Sequence, residues 1–458
     1  LDIEQGGTTT KAHRAVYAKV VDGQNVEPVL HNNPYQMIDW VSVNQYKSNM
    51  HTHTTQSNDP IEKFTTAYVV DRYHAAGYKI LALTDHDYCT YPWDLFPQYM
   101  SGVAARNAEA LGMLAVPGNE LSKDDTNSWD ERTGGQFNHH NDFFTGRHGQ
   151  EFASLQESYA YTYALGGMQI INHPGQYWNL STTYSETEKN GPGWHATNFK
   201  TYPSLVGLEV YNQGNRRPND RILWDQILER TMPERPVFGY SGDDTHNDEQ
   251  LFRNYNMMLM EELTTEELKD AMRKGESYFC YEPKGSGEGK APRITNIAVD
   301  EANKTITIET NGMVSWIYGT DMTSSSSSST RSSVVGIGNT FCYEGYQGAY
   351  VRAFITNAYG ETCTQPFGFT DSTTTDVDNV ADNTELKVFV FPNPATDELR
   401  VMMNQANTAE LISVYDITGK EVMRQPVEGA MTTLPVSHLH TGIYLLTVNG
   451  RQVKFIKD

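Results

Sequence analysis

Histidine and carboxylate residues recur through the first half of this chain in short groups that could bind metal ions. His51 and His53 lie one residue apart in the stretch "SNMHTHTTQSND". Alternate residues of a β-strand point to the same face, so the two imidazoles would be directed towards one point. Two convergent imidazoles make half of a metal site. Taken alone, however, the pair is more typical of ordinary polar residues at a strand end.

Further groups of the same residue types follow along the chain. Most of them come directly after an apolar run that is typical of a buried strand, and one lies in a long connection. The groups are Asp85, His86 and Asp87 after "YKILALT", Glu120 after "LGMLAVPG", His139 and His140 in "FNHHNDFF", His173 after "GGMQIIN", and Asp243, Asp244 and His246 after "PVFGYSG".

The elements that must position these groups are alternating strands and helices. Strand-like runs at 78–84, 111–118, 166–173, 205–211 and 236–242 are separated by helical patterns, for example at 61–77 and 219–230. This alternation predicts a parallel α/β fold, with a closed barrel as the leading candidate. In such a barrel the carboxyl ends of all strands meet on one face. The scattered groups would then gather there, which favours a metal site over chance placement.

Composition shifts divide the rest of the chain. We predict a lead-in, the α/β barrel, a small Ig-like β-sandwich, a linker poor in apolar residues, and a final β-domain. Their bounds are 1–35, 36–290, 291–371, 372–386 and 387–458. We expect the sandwich to be dispensable for the chemistry.

The bulk numbers exclude several classes of function. The net charge of −22 argues against DNA or RNA as a partner, because the phosphate backbone would be repelled. No apolar run approaches the ~18–20 residues of a membrane helix. None of the 4 cysteines forms a C-x-x-C pair, which excludes a cysteine zinc site. Whether Cys342 and Cys363 pair stays open, as does the oligomeric state.

The ordered motifs resemble the PHP domain family, the polymerase and histidinol phosphatase superfamily, over residues 45–250. The motifs are "HTH" at 51–53, "TDHD" at 84–87, "GNE" at 118–120, "HHN" at 139–141, "NHP" at 172–174 and "GDDTH" at 242–246. The resemblance implies a distorted (β/α)7 TIM-like barrel that holds two or three divalent cations.

The resemblance also implies which residues bind each cation. The first site would use His51, His53, Glu120 and Asp244; the second would share Glu120 and add His139 and His173; the third would use Asp59, His86 and His246. The choice of His139 over His140 follows the family's His-x-Asn pattern. Asp59 precedes Pro60 and a helical run, so it could instead cap that helix.

The donor set indicates the metal and the chemistry. Imidazole and carboxylate without thiolate suit Zn, Mn or Fe. Cations about 3.5–4 Å apart can share a water, lower its pKa and present hydroxide to an electrophile. We therefore predict a metal-bound hydroxide as the nucleophile and no protein nucleophile. Tyr211 and Asn212, which follow a strand on the expected active face, and His195 in a loop are candidates for substrate contact.

These features predict a multinuclear hydrolase that acts on a small phosphorylated or ester substrate. A phosphoesterase is the leading function, and hydrolysis of a carbamate, carboxylic ester or amide by the same cluster is the alternative. A hypothesis of a different class is a non-catalytic surface binding or adhesion protein. "GLEVYNQ" at 207–213 and "TQPFGF" at 364–369 also resemble a secreted branch of the family with a trailing β-sandwich.

The C-terminal segment resembles the sorting domain of the type IX secretion pathway. The resemblance rests on "FPNPATDELRV", "VYDITGKEV" and "LPVSHLHTGIYLLTV" within residues 387–458. It implies the type IX machinery as a partner and export across the outer membrane to the surface or the medium. We expect a signal peptide, absent from this chain, to have been removed. A Cys342–Cys363 disulfide would survive in that compartment.

Overall fold

The computed structural model describes residues 2–5, 8–11, 20–21, 24–25, 27–57, 59–87, 90–122, 138–146, 152, 154–180, 182–320, 332–371, 386–404 and 410–458. The serine-rich loop at 323–330, nearly all of the linker predicted at 372–386, and Cys89 lie outside these residues. Five short strands precede the α/β region: β1 (Asp2–Gln5), β2 (Thr8–Lys11), β3 (Val20–Val21), β4 (Gln24–Asn25) and β5 (Pro28–Asn32).

An α/β region carries every predicted ligand. Its strands are β6 (Asn44–Asn49), β7 (Ile80–Ala82), β8 (Leu114–Val116), β9 (Gly118–Leu121), β10 (His140–Phe143), β11 (Met168–Ile171), β12 (Leu205–Asn212), β13 (Phe238–Gly242), β14 (Asn254–Met260) and β15 (Ser277–Tyr281). Its helices are α1 (Thr66–Ala75), α2 (Phe96–Tyr99), α3 (Ala108–Leu111), α4 (Leu155–Ala164), α5 (Pro192–Thr201), α6 (Asn219–Thr231) and α7 (Thr265–Lys274). The strands and helices predicted from the apolar runs all occur, with bounds that differ by a few residues.

The strands of this region form two sheets among the described residues. One has the order β13-β12-β11-β10-β9, and the other contains the path β15-β14-β6-β7-β8. A single bridge between His86 and Glu120 links the second sheet to the first. The mixed α/β fold is as predicted. The predicted parallel arrangement applies to β6-β7-β8 and β11-β12-β13, whereas β10 and β14 run antiparallel to their neighbours.

Local sequence signals explain where the helices begin and end. The Thr65 hydroxyl accepts the Tyr68 N–H at the start of α1, and the Thr264 hydroxyl accepts the Glu267 N–H at the start of α7. Helix α7 ends at Gly275, whose φ of 73° is a left-handed conformation that favours glycine. Its first turn is acidic and its last turn is basic, which suits the helix dipole.

The trailing β-region is hydrogen-bonded into the α/β region. Its strands are β16 (Ile294–Asp300), β17 (Thr305–Thr310), β18 (Met313–Thr320), β19 (Ser332–Ile337), β20 (Thr340–Cys342), β21 (Tyr350–Thr356), β22 (Glu361–Thr364) and β23 (Phe367–Asp371). Strand β22 pairs with β15, and β23 pairs with β5 of the predicted lead-in. The boundary predicted at 290/291 is therefore not a break in the sheet.

The cysteine pair left open by the sequence does not form. The thiol of Cys363 is free, so it forms no disulfide with Cys342. Cys342 ends β20 in a three-stranded sheet, whereas Cys363 is buried in β22 between β15 and β21. The two strands belong to different sheets.

The C-terminal region is a sandwich of two sheets. Its strands are β24 (Val388–Phe391), β25 (Glu398–Met403), β26 (Leu411–Asp416), β27 (Glu421–Pro426), β28 (Met431–Pro435), β29 (Gly442–Val448) and β30 (Arg451–Lys457). The sheet β24-β25-β28 packs on the sheet β27-β26-β29-β30 around Leu399, Val401, Val414, Leu434 and Leu446. Among all the described residues, no helix has the length and apolar character needed to cross a bilayer.

Candidate metal centre

The carboxylate of Glu120 lies at the centre of a cluster of histidines. Glu120 sits in β9, and 1% of it is exposed. Its Oε2 atom lies 3.2 Å from His51 Nε2, 3.1 Å from His53 Nε2 and 3.3 Å from His86 Nδ1. Its Oε1 atom lies 3.0 Å from His139 Nδ1 and 3.2 Å from His173 Nε2. Each carboxylate oxygen thus faces a different set of imidazoles.

The residues predicted for the first cation come together. Asp244 Oδ1 lies 3.0 Å from His53 Nε2 and 3.5 Å from His51 Nε2. One donor atom from each of His51, His53, Glu120 and Asp244 lies within 4.8 Å of the others, and all four residues are buried. The sequence reasoning about alternate residues therefore applies, since both imidazoles point from the end of β6 to the same place.

The alternation of side chains at the start of β10 separates His139 from His140. The His139 ring faces Glu120, and the His140 ring faces helix α4, where its Nε2 atom lies 2.9 Å from Ser158 Oγ. Adjacent residues entering β10 point to opposite faces. His139 joins Glu120 and His86 in one group of potential ligands, and His173 approaches the same Glu120 oxygen.

Asp59 lies among histidines and does not cap a helix. Its Oδ2 atom is 2.7 Å from His246 Nε2 and 3.4 Å from His86 Nε2. Thr65 caps helix α1 instead. The rings of His53, His86 and His246 can also present three nitrogens to one ion. The structure thus brings all nine predicted ligands into one continuous cluster.

Two of these residues sit on strained backbone. His173 has a φ of 28° and Asp244 a φ of 47°. Positive φ is uncommon for residues other than glycine and concentrates at functional sites. Each of the two residues lies two positions after the end of a strand.

A buried carboxylate that the motifs did not single out supports the cluster from behind. Glu209, in β12, has an Oε1 atom 2.8 Å from His51 Nδ1, and its Oε2 atom accepts hydrogen bonds from the His173 N–H and the Asn212 amide. Such contacts orient ligating histidines and increase their basicity. A glutamate inside the buried run "LVGLEVYN" was the available signal, because buried carboxylates are rare unless they are paired.

His53 has a similar support. Its Nδ1 atom lies 3.0 Å from the Ser57 hydroxyl, which also donates to Asp85 Oδ1 at 3.0 Å and accepts the His86 N–H at 2.9 Å. The same Asp85 carboxylate accepts the backbone N–H and the hydroxyl of Thr54. The loop that carries His53 is therefore tied to the loop that carries His86.

Electrostatics in the cluster follow from burial and opposite charge. Burial lowers the pKa of His53, but contacts with Asp244 and Glu120 outweigh it and raise the pKa to about 10. The pKa of His51 is likewise raised well above its usual value, because Glu209, Glu120 and Asp244 outweigh burial. Burial raises the pKa of Glu120, but the surrounding histidines hold it well below its usual range. Protons and cations would compete for the same nitrogens, so cation binding would release protons.

The candidates for substrate contact are placed differently from what the sequence predicted. Asn212 lies behind the cluster, bound to Glu209. The Tyr211 hydroxyl donates to Glu361 at 2.6 Å, and its ring stacks on Tyr281, so it faces the trailing β-region. His195 lies in helix α5, not in a loop, fully buried beside Trp194.

The donor set fits divalent cations. His51 Nε2 and His53 Nε2 face each other at 3.2 Å beside two carboxylates. Among the described residues, the ion pairs of Glu120 are all with histidines. Cations bind the neutral form of imidazole, so bound cations would replace the protons of these rings as the positive charge beside the buried carboxylates.

Comparison with protein families returns a match for the end of the chain. Residues 389–458 match the family described as a secretion system C-terminal sorting domain. This confirms the resemblance predicted for 387–458 and implies export to the surface or the medium. No curated protein matches the chain.

Comparison with solved structures returns distant similarities. A two-domain protein containing a predicted PHP-like metal-dependent phosphoesterase from Bacteroides vulgatus aligns at 16% identity and a TM-score of 0.39, over 74% of this chain and 98% of its own. The lesion-specific endonuclease PfuEndoQ from Pyrococcus furiosus aligns at 15% identity and a TM-score of 0.33, over 50% of this chain and 56% of its own. PorZ, a surface component of the type-IX secretion system of Porphyromonas gingivalis, aligns at 13% identity and a TM-score of 0.15, over 45% of this chain and 29% of its own.

Proposed function

We propose that this chain is a secreted, multinuclear metal-dependent hydrolase, and more specifically a phosphoesterase. The observation that carries the proposal is the position of Glu120, a buried carboxylate whose two oxygens face five imidazoles. The proposal includes a distorted (β/α)7 barrel, a trailing β-sandwich and a separate C-terminal sorting domain.

The chain's own residues would hold two or three divalent cations of Zn, Mn or Fe. We assign His51, His53, Glu120 and Asp244 to one, Glu120, His139 and His173 to a second, and Asp59, His86 and His246 to a third. When bound, such cations activate a water for attack and neutralise charge on a phosphoryl oxygen. No protein side chain needs to act as the nucleophile.

A cationic side chain beside the cluster favours an anionic substrate over a neutral one. Gln213 donates from Nε2 to Asp244 Oδ2 at 3.1 Å, and its Oε1 atom accepts a hydrogen bond of 2.6 Å from the exposed Arg216 guanidinium. Guanidinium groups recognise phosphate oxygens well. Arg216 could therefore bind a phosphoester that enters above Asp244.

A substrate panel tests the proposal. The protein would be assayed with Mn²⁺ or Zn²⁺ against mono- and bis-p-nitrophenyl phosphate, p-nitrophenyl acetate, a p-nitrophenyl carbamate and a DNA duplex with an abasic site. We expect hydrolysis of the small phosphate esters that is lost in Glu120→Gln. Turnover of the carboxyl or carbamate esters alone would favour the alternative hydrolase. Cleavage of the duplex would overturn the predicted exclusion of nucleic acid. A metal-loaded protein that is inactive on the whole panel would favour a non-catalytic surface role.

A further inference from the structure

The sheet β24-β25-β28 of the sorting domain has two apolar faces. Val390 pairs with Val401 and points into the domain's own core. Phe389 pairs with Met402, which pairs with Met431, and this row points away from that core. An antiparallel sheet normally has one apolar and one solvated face. This outer apolar row is therefore expected to pack against another part of the protein or a partner.

Helix α4 packs against this row, and the burial pattern of the helix shows that its outer side is also covered. Eight of its ten residues are buried. Residues on one side, such as Leu155 and Tyr159, pack in the α/β core. A helix that is buried all round must be covered on its outer side as well. The Phe389 ring lies 6.1 Å from the Tyr163 ring of α4 and 5.2 Å from the Tyr202 ring. Met402 is fully buried in this contact.

Polar contacts fix the two surfaces in one register. Arg400, in β25, pairs with Glu157 of α4 at 2.7 Å, and the Glu157 side chain is fully buried. Asn404 donates from Nδ2 to the Tyr163 hydroxyl at 3.0 Å. Removing one partner from such a buried pair leaves an uncompensated charge, so the pair specifies this arrangement over others.

We infer that the sorting domain binds stably to helix α4 of the same chain. The Phe389–Met402–Met431 row and the Arg400–Glu157 pair hold it there. The covering partner of this face is the α/β region of the same chain. While the domain is seated, the row is unavailable to any other protein. A cut in residues 372–385 would therefore not by itself release the sorting domain, and separation would be a distinct second step.

Cleavage of the chain between the α/β region and the sorting domain shows whether the contact surfaces alone hold the two pieces together. A linker keeps two domains at an effective concentration in the millimolar range, so even a weak contact persists in the uncut chain. Cleavage removes this effect, and only the surfaces themselves then hold the pieces together. A site-specific protease site placed within 372–385 of the full chain allows this test.

We expect the two pieces to co-elute in size-exclusion chromatography at low micromolar concentration after cleavage. Arg400→Glu should raise the dissociation constant at least tenfold, and Glu157→Arg should do the same. Combining the two reverses the pair and should recover part of the loss. Arg424→Glu is the matched control, because Arg424 pairs with Glu421 within the sorting domain at an exposed position.

Two outcomes would overturn the inference. One is that the wild-type pieces separate at low micromolar concentration. The other is that Arg400→Glu and Arg424→Glu have the same effect. Recovery in the double variant also shows that the single variants had not simply failed to fold. As a second measurement, α4 amides should keep their protection from hydrogen exchange after cleavage and lose it in the cut Arg400→Glu protein.

Discussion

At the scale of single residues, the cluster joins ligands to side chains that hold them in place. Glu209 is the main example, because it contacts His51 Nδ1 and the His173 backbone at once. Two ligands from different strands thus share one support. The sequence motifs pointed to the residues that face the cluster. The buried run around Glu209 indicated a paired carboxylate, but it did not show which ligands that carboxylate supports.

Glu209→Gln should lower activity without removing the fold. The glutamine amide has the volume of the carboxylate but only one oxygen and no negative charge. It therefore cannot accept hydrogen bonds from both His51 and His173. Outer-shell substitutions of this kind cost about 10–100-fold in metal affinity or activity. Metal titration together with kcat measurement checks this. Glu361→Gln, which alters the carboxylate that contacts Tyr211, is the control and should retain full metal affinity. Unchanged metal affinity in Glu209→Gln would contradict the assigned role.

His195 should make the protein less stable in acid. Burial without a hydrogen-bond partner for either ring nitrogen lowers its pKa from 6.5 to about 3. The unfolded chain therefore binds a proton below pH 6.5 that the folded chain does not, and stability falls as pH decreases from about 6.5 to about 3. The contribution is about 1.4 kcal/mol per pH unit.

Denaturant unfolding between pH 7.5 and pH 5 measures this effect. His195→Leu should show a smaller loss of unfolding free energy over that interval than the wild type. His440→Leu, which alters an exposed histidine of the sorting domain, should follow the wild type. Equal pH dependence in His195→Leu and the wild type would show that His195 does not stay neutral in the folded protein.

At the scale of elements, strand ends position the ligands, and small residues allow their close approach. Gly242 ends β13, two residues before Asp244. A Cβ atom there would lie 1.9 Å from Glu209 Oε1 and 2.9 Å from His51 Cβ. The strand end, the support and the ligand therefore fit together only if residue 242 has no side chain.

Gly242→Ala should displace Glu209 and His51 and reduce bound metal well below that of the wild type. Metal content and circular dichroism on the same sample separate loss of the site from loss of the fold. Gly442→Ala is the control, because the nearest atoms to its Cβ would be 3.9 Å away, which is ordinary contact distance. If Gly242→Ala binds metal as the wild type does, the packing described here is wrong.

Much of this level could be predicted from the sequence. The apolar runs at 78–84, 111–118, 166–173 and 236–242 each contain a strand, because continuous burial leaves a simple pattern in the sequence. The direction of a strand leaves no such pattern. Strand β10 is short and runs antiparallel to β9 and β11, which the apolar pattern did not show. The separate sheets that hold Cys342 and Cys363 were hidden in the same way, because sheet membership depends on pairing across the chain.

At the scale of the whole molecule, the trailing β-region is part of the architecture that carries the site. Asp225 of α6 binds the Arg352 guanidinium through two hydrogen bonds of 2.8 and 2.7 Å, and both side chains are almost fully buried. The Gln365 side chain also exchanges hydrogen bonds with the Gly239 backbone in β13. From these contacts we expect that the chemistry requires the trailing β-region. The expectation from the sequence was that this region is dispensable for the chemistry.

Asp225→Ala should lower the unfolding free energy by about 3–5 kcal/mol, because the buried Arg352 loses its carboxylate. Asp270→Ala is the control. Its partner Arg273 is exposed on α7, and such pairs contribute about 0–1 kcal/mol. Denaturant titration compares the two variants. A loss in Asp225→Ala that is no larger than the loss in Asp270→Ala would show that the trailing region is only loosely attached.

The most direct test of the whole account is the metal content of the purified protein after incubation with Zn²⁺ or Mn²⁺ and removal of excess ions. Elemental analysis should find two or three divalent cations per wild-type chain. Glu120→Ala should hold fewer than half as many, since the Glu120 carboxylate is shared by the first and second of the proposed sites. A wild-type chain without bound cations, or an unchanged content in Glu120→Ala, would contradict the proposed centre.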